Sequence, residues 1–185
     1  MRILRVVTEG ECEAAILEHL LKPHLGESLR VSVSPGGGAA PVSSARSKLA
    51  DGLRVALVLN TGTLNFGKIR TRMARLENLM GMVAYRDRWK IVLFRPELEI
   101  VFFHEPELLR QLVGRAVTLE ELERAQAHPK QVLTELLNVQ PEDFLPELRR
   151  RLDSIDLRPL ASHPQIRALL DFHAPLRPET WLISP

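Results

Sequence analysis

Short, densely apolar runs alternate with segments of helical periodicity along the first hundred residues of the chain. The apolar runs predict strands at 2–8, 28–34, 53–59, 82–85 and 90–94. Helices are predicted between them, at 42–49, at 66–79 and from Glu11 to a stop before Pro23. Runs without polar alternation are typical of parallel strands that are buried on both faces. We therefore predict an α/β fold with a mostly parallel central sheet.

Beyond Pro106 the pattern becomes helical, and an apolar run at 98–103 precedes it. Helices are predicted at 107–113, 118–127, 129–137, 142–152 and 164–172. Thr118 with Glu121 three residues later is a capping-box signature. These patterns predict a Rossmann-like α/β domain at 1–104 and a helical C-terminal region at 105–185 packed on it. The Pro-rich tail, 175–185, is expected to pack back on the core as an extended strand.

Composition narrows the class of protein without naming a function. Hydrophobic residues make up 45% and charged residues 26% of the 185 residues, which is ordinary globular usage. Cys12 is the only cysteine, so an internal disulfide and a cysteine-based zinc cluster are excluded. Neither a membrane-length apolar run nor a signal peptide is recognisable, and we predict a cytoplasmic protein.

Charge is distributed unevenly although the formal net charge is only +2. The window 67–90 holds seven basic residues against two acids, whereas 97–126 holds seven acids against three bases. We therefore expect one basic face and one acidic segment.

Glu9 is the first residue to suspect of chemistry, because it ends the first apolar strand and precedes Gly10. Ligands of open α/β sheets bind in the crevice at the carboxyl ends of the strands. Glu13 lies one helical turn further on and can face the same crevice. The strand at 53–59 ends in Asn60-Thr-Gly-Thr63, where a metal-using enzyme of this layout would carry acidic ligands.

Four segments together resemble the TOPRIM domain, closest to the stand-alone forms related to the overcoming-lysogenisation-defect nucleases. They are Thr8-Glu-Gly-Glu-Cys-Glu13, the glycines at 36–38, the strand leading to Asn60-Thr-Gly-Thr63, and Pro96-Glu-Leu-Glu-Ile-Val-Phe-Phe103. The resemblance implies a magnesium-dependent enzyme that cuts or joins phosphodiester bonds. Magnesium prefers oxygen ligands and neutralises the charge that develops on phosphoryl groups.

Mapped onto this sequence, the resemblance assigns Glu9 and Glu99 as catalytic carboxylates and Glu9, Glu13, Asn60 and Glu99 as metal ligands. The chain departs from the family at the Asp-x-Asp pair, which falls on Asn60 and Gly62. Three explanations stay open: a natural, catalytically decayed protein; a working site completed by Glu13, Glu99 or a partner; or an engineered Asp-to-Asn change at position 60.

Two functional hypotheses follow. The first is a nuclease-like protein of anti-phage defence or DNA maintenance that binds nucleic acid, DNA rather than RNA. Its predicted nucleic-acid contacts are Lys68, Arg70, Arg72, Arg86 and Arg88. The second is a non-catalytic regulatory subunit that uses the acidic stretch 97–126 to engage a partner such as an ATPase. The apolar helical region also indicates a homodimer.

Overall fold

A computed structural model describes residues 3–36 and 38–174. Four strands, β1 to β4 in chain order, span Leu4–Thr8, Leu29–Val33, Val55–Asn60 and Trp89–Phe94. The three helices between them, α1 to α3, span Glu11–Leu25, Ala40–Ala50 and Phe66–Gly81. The predicted tail strand at 175–185 lies outside the described residues, as does Gly37 of the glycine run.

The sheet has the strand order β2-β1-β3-β4, and every neighbouring pair is parallel. The predicted α/β class with a Rossmann-like central sheet is therefore confirmed. After β1 the chain forms β2 on one side, and it then returns to the other side of β1 for β3 and β4. The order reverses between β1 and β3, and ligands of open α/β sheets bind at such a switch point.

Each face of the sheet is covered by its own core. On one face, α2 and α3 pack on the odd-numbered residues of β3, including Val55, Leu57 and Leu59. On the other face, α1 covers Ala56 and Val58, which face opposite to their neighbours as side chains of a strand do. The core on the α1 face continues without a break into the helical C-terminal region.

A 3-10 helix at Leu98–His104 leads from the sheet into this region. Five α-helices follow, α4 to α8, at Pro106–Val113, Leu119–Ala127, Pro129–Leu137, Phe144–Leu152 and Pro164–His173. Thr118 and Glu121 form the predicted capping box at the start of α5. None of the helices in the described ranges is long and apolar enough to cross a membrane.

Two local predictions are wrong. The segment 82–85 is not a strand. It follows the end of α3, where Val83 and Ala84 pack on the same core as that helix while Met82 and Tyr85 are exposed. The helix α1 does not stop before Pro23 but includes it and ends at Leu25, because a proline in the last turn removes one hydrogen bond only.

Candidate functional site

The carboxyl ends of β1 and β3 bring Glu9 and Asn60 to the same edge of the sheet. These strands pair in parallel, with Val7 opposite Leu57. Glu9 directly follows β1, and Asn60 is the last residue of β3. The predicted crevice therefore lies at the switch point, and its wall includes the start of α1 with Glu13.

The side chain of Asn60 is held by a hydrogen bond at each end. Its Nδ2 donates to Glu13 Oε1 at 2.7 Å, and its Oδ1 accepts from the amide of Leu98 at 2.8 Å. The two partners fix which end of the side chain is oxygen, because Glu13 can only accept when ionised and a backbone amide can only donate. The oxygen of Asn60 is therefore directed at Leu98 rather than at the open crevice.

Gly10 gives the carboxylate of Glu13 the space that it occupies. A Cβ atom placed on Gly10 would lie 2.5 Å from Glu13 Oε2. The carboxylate folds back over the turn between β1 and α1, and Glu13 is only 9% exposed. The space beside Gly10 is therefore filled by a side chain of the same chain.

Arg72 of α3 connects Glu9 to the end of β3. Its Nη1 donates to the backbone oxygen of Asn60 at 2.7 Å, and its Nη2 lies 3.6 Å from Glu9 Oε1. The side chain of Glu9 stays 24% exposed, so the crevice is open to solvent at this point. A positive charge therefore faces the carboxylate that the family resemblance assigns to metal binding.

Glu99 is completely buried, and neither carboxylate oxygen has a hydrogen-bond partner. Burial raises the pKa of Glu99 to about 7, and the negative charge of Glu13 contributes in the same direction. Near neutral pH a large fraction of Glu99 is therefore uncharged. This is the condition in which a carboxyl group can stay in an apolar environment without a partner.

Lys130 is the residue of this site that the sequence analysis missed. Burial acts to lower the pKa of Lys130, but the charges of four neighbours outweigh burial and leave the pKa raised. The four neighbours are Cys12, Glu99, Glu13 and Glu97. The 3-10 helix also anchors the start of α6, since Glu97 Oε2 accepts from the backbone amide of Lys130 at 3.1 Å.

Lys130 is a lysine in the first turn of α6, and its local sequence does not mark it as part of the crevice. Its contact with residues more than a hundred positions earlier depends on how α6 packs. Cys12, also in this cluster, is half-buried, and burial raises its pKa above the ordinary value while Lys130 opposes this effect. A thiol of this kind is less reactive than an exposed one.

The residues do not fit the magnesium site that the family resemblance implies. Asn60 uses its oxygen on Leu98, Glu9 faces Arg72, and Gly62 has no side chain. Within 3–36 and 38–174, no three His, Cys, Asp or Glu residues are grouped so that they could hold a metal ion. The negative charges of Glu13 and Glu99 act instead on the ammonium group of Lys130 and help to raise its pKa.

The basic residues divide into two groups at the two ends of α3. Lys68, Arg70 and Arg72 lie in its first two turns, beside the crevice. Arg86 and Arg88 lie in a 3-10 turn immediately before β4, at the opposite edge of the sheet. Arg86 forms a 2.9 Å ion pair with Glu77 and lies 4.1 Å from the centre of the Trp89 ring. The predicted single basic face is therefore replaced by two separate surfaces.

Much of the charge in the acidic segment is paired within the chain. Glu107 forms an ion pair with Arg110, and Glu121 forms one with Arg115, each at 2.6 Å. Glu97 caps α6, and Glu99 is buried. The segment at 97–126 thus presents less unpaired negative charge than its composition indicates.

Comparisons with protein-family models, with curated proteins and with solved structures find no match to this chain.

Proposed function

We propose that this chain is a TOPRIM-like protein that binds nucleic acid at the carboxyl edge of its sheet without cutting it in a magnesium-dependent reaction. The observation that carries this proposal is the pair of hydrogen bonds on Asn60. In the TOPRIM pattern, position 60 falls on one aspartate of the Asp-x-Asp pair that holds magnesium. The amide of Asn60 joins Glu13 to Leu98 instead. Glu13 therefore stabilises the crevice rather than binding a metal ion.

The beginning of α3 supplies the proposed nucleic-acid contacts. Lys68 and Arg70 are exposed there, and Arg72 is half-buried at the crevice wall. Lysine and arginine side chains that neutralise phosphates provide most of the affinity for a nucleic-acid backbone. Phe66, the first residue of α3, is 68% exposed and gives a flat surface on which a base can stack.

A single-stranded DNA is the proposed ligand, because stacking on Phe66 requires a base that is free of its partner. The role of the chain is then that of a binding component in a DNA-maintenance or anti-phage assembly. Such a role would place the chain in the cytoplasm, as the sequence predicts.

Binding is tested by fluorescence anisotropy with a labelled single-stranded DNA at several salt concentrations. Replacing Lys68 and Arg70 together by alanine should weaken binding by about tenfold or more and flatten the salt dependence. Replacing Arg86 and Arg88 is the matched control, since it removes equal charge from the opposite edge and should change affinity little. Equal losses in both double variants would show that only total charge matters and would contradict the proposed surface.

Cleavage is tested by incubating supercoiled plasmid with the protein and magnesium. We expect no nicking above that of a Glu9→Gln variant prepared in the same way. Nicking by the native chain that is lost in Glu9→Gln would refute the non-cleaving role and support a working nuclease.

A further inference from the structure

A cavity of about 430 Å³ opens beside the crevice, between the end of β4 and the start of α8. Phe94, Ile100 and Leu160 give it an apolar lining, and all three are buried. Its volume is within the range of small-molecule sites in proteins. Phe94 pairs with Asn60 in the sheet, so the cavity and the crevice share one edge of the sheet.

Two histidines form an aromatic wall of this cavity. His163 stacks on Phe94 with ring centres 6.2 Å apart and planes inclined by 21°. His104 meets His163 edge-on, at 5.0 Å between ring centres. Burial lowers the pKa of His163 to about 4, and the neighbouring His104 adds to this effect. The ring of His163 is therefore neutral near pH 7.

His163 carries a polar atom that the protein leaves without a partner. The residue is only 9% exposed, and its Nδ1 is buried without a hydrogen bond. Buried polar atoms are nearly always hydrogen-bonded in folded proteins, so each exception requires an explanation. This unpaired atom belongs to a ring that forms part of the cavity wall.

Groups that favour an anion lie on another side of the cavity. The ten-residue helix α8 begins at Pro164, and no hydrogen bond satisfies the amides of Gln165 and Ile166 among the described residues. Free amides and the helix dipole make such a terminus attractive to phosphate. Arg95 is exposed and also lines the cavity, which adds a full positive charge.

We propose that this cavity binds a nucleoside monophosphate group, with the base against the rings of His104 and His163 and the phosphate between Arg95 and the start of α8. Glu105 lines the cavity as well and supplies an acceptor for an amino group on the base. The shared chemistry fits a free nucleotide or the phosphorylated end of a strand.

The cavity is connected to the proposed nucleic-acid surface through Arg95. The guanidinium group of Arg95 lies 6.0 Å from the centre of the exposed Phe66 ring. A strand that stacks on Phe66 could therefore place its terminal nucleotide in the cavity. In this respect the inference rests on the proposed function and specifies which part of the strand is recognised.

The first test is calorimetric titration of the full chain with adenosine 5′-monophosphate, adenosine and inorganic phosphate. We expect the monophosphate to bind at least tenfold more tightly than either component. Arg95→Ala should remove most of this advantage over adenosine, whereas Arg110→Ala, a change of equal charge on α4, should not. Equal affinity for inorganic phosphate and the monophosphate would overturn the inference.

A second variant blocks the cavity at its rim. Gln165→Trp should abolish binding of the monophosphate, and Gln165→Ala should reduce it only slightly, because the smaller side chain leaves the cavity open. Thermal melting of both variants establishes that they are folded. A folded Gln165→Trp variant that binds the monophosphate normally would place the ligand elsewhere and refute the site.

The two sources of the nucleotide are separated with a 5′-phosphorylated oligonucleotide and its unphosphorylated twin. If the protein prefers the phosphorylated strand and excess monophosphate removes this preference, the ligand of the cavity is the end of a strand. If the monophosphate binds but does not compete with the phosphorylated oligonucleotide, the ligand of the cavity is the free nucleotide. If the monophosphate fails to bind but the oligonucleotide remains sensitive to Lys68 and Arg70, the inference fails and the proposed function stands. If the oligonucleotide fails to bind at all, the proposed function fails.

Discussion

The side-chain amide of Asn60 donates a 2.7 Å hydrogen bond to the carboxylate of Glu13, and this bond joins the end of β3 to the start of α1. The contact requires opposite roles at the two positions, a donor on the strand and an acceptor on the helix. A carboxylate at position 60 could not donate in its ionised form. The crevice of this protein is thus built around the side-chain amide at position 60.

We expect Asn60→Asp to lower the free energy of unfolding by about 1–3 kcal/mol at neutral pH, because two carboxylates would then face each other. Magnesium at millimolar concentration should recover part of the loss in Asn60→Asp and leave the native chain unchanged. Thermal melting with and without magnesium measures both effects. A native chain stabilised as strongly as the variant would show that a magnesium site already exists.

Glu99→Gln should stabilise the protein above neutral pH. The pKa of Glu99 is about 7 in the folded chain against an ordinary 4.5, so the folded state retains a proton that the unfolded state releases. Stability contributed by this proton is present below pH 4.5 and is lost as pH rises to about 7. At 1.36 kcal/mol per pKa unit the loss amounts to about 3 kcal/mol, which the neutral glutamine avoids.

The measurement is urea unfolding of the native chain and Glu99→Gln at pH 5 and pH 8. At pH 8 the free energy of unfolding of Glu99→Gln should exceed that of the native chain by more than it does at pH 5. Equal differences at both pH values would mean that Glu99 does not titrate in this interval.

Lys130→Met should destabilise the chain by about 1–2 kcal/mol at neutral pH. The substitution keeps the length of the apolar stem but leaves the neighbouring carboxylates without their cation. The cost is smaller than for a fully buried charge because Lys130 is only half-buried. Lys130→Arg preserves the charge and is the control. If chemical denaturation shows that Lys130→Met and Lys130→Arg are equally stable, the charge of Lys130 does not stabilise the chain.

Gly10→Ala should displace the carboxylate of Glu13, since the added Cβ would lie 2.5 Å from Oε2. The hydrogen bond to Asn60 would be lost or bent, and the expected cost is about 1–2 kcal/mol. When Glu13 is also replaced by alanine, the added Cβ no longer meets a carboxylate. The change Gly10→Ala should therefore lower the free energy of unfolding less in the Glu13→Ala background than in the native chain. A double-mutant cycle measures this coupling directly.

The pairing of strands could be expected from the sequence because each strand is a short apolar run separated from the next by a helix-length segment. Glu9 and Asn60 were placed at strand ends for the same reason. The 3-10 helix at Leu98–His104 was not predicted, because its residues 98–103 are buried in succession and so show no periodicity that identifies an element.

Contacts of the crevice depended on tertiary packing. Lys130 reaches the carboxylates because α6 packs against the 3-10 helix, and local periodicity carries no information about that docking. The direction of the Asn60 amide depends on the Leu98 amide, thirty-eight positions away in sequence. Arg72 and Arg86 looked like one basic face in the sequence, but α3 runs between the two edges of the sheet and separates them.

The helix α3 is attached to the sheet mainly through its second half. Only Leu76 and Met80 are buried among its sixteen residues, and the first half touches the core through the half-buried Ile69 and Met73. Segments with few apolar contacts open locally at low free-energy cost. The turns that carry Lys68 and Arg70 are therefore held to the sheet largely by the polar contacts of Arg72 with Asn60 and Glu9, and loss of these contacts would let this part of the helix open before the rest of the molecule.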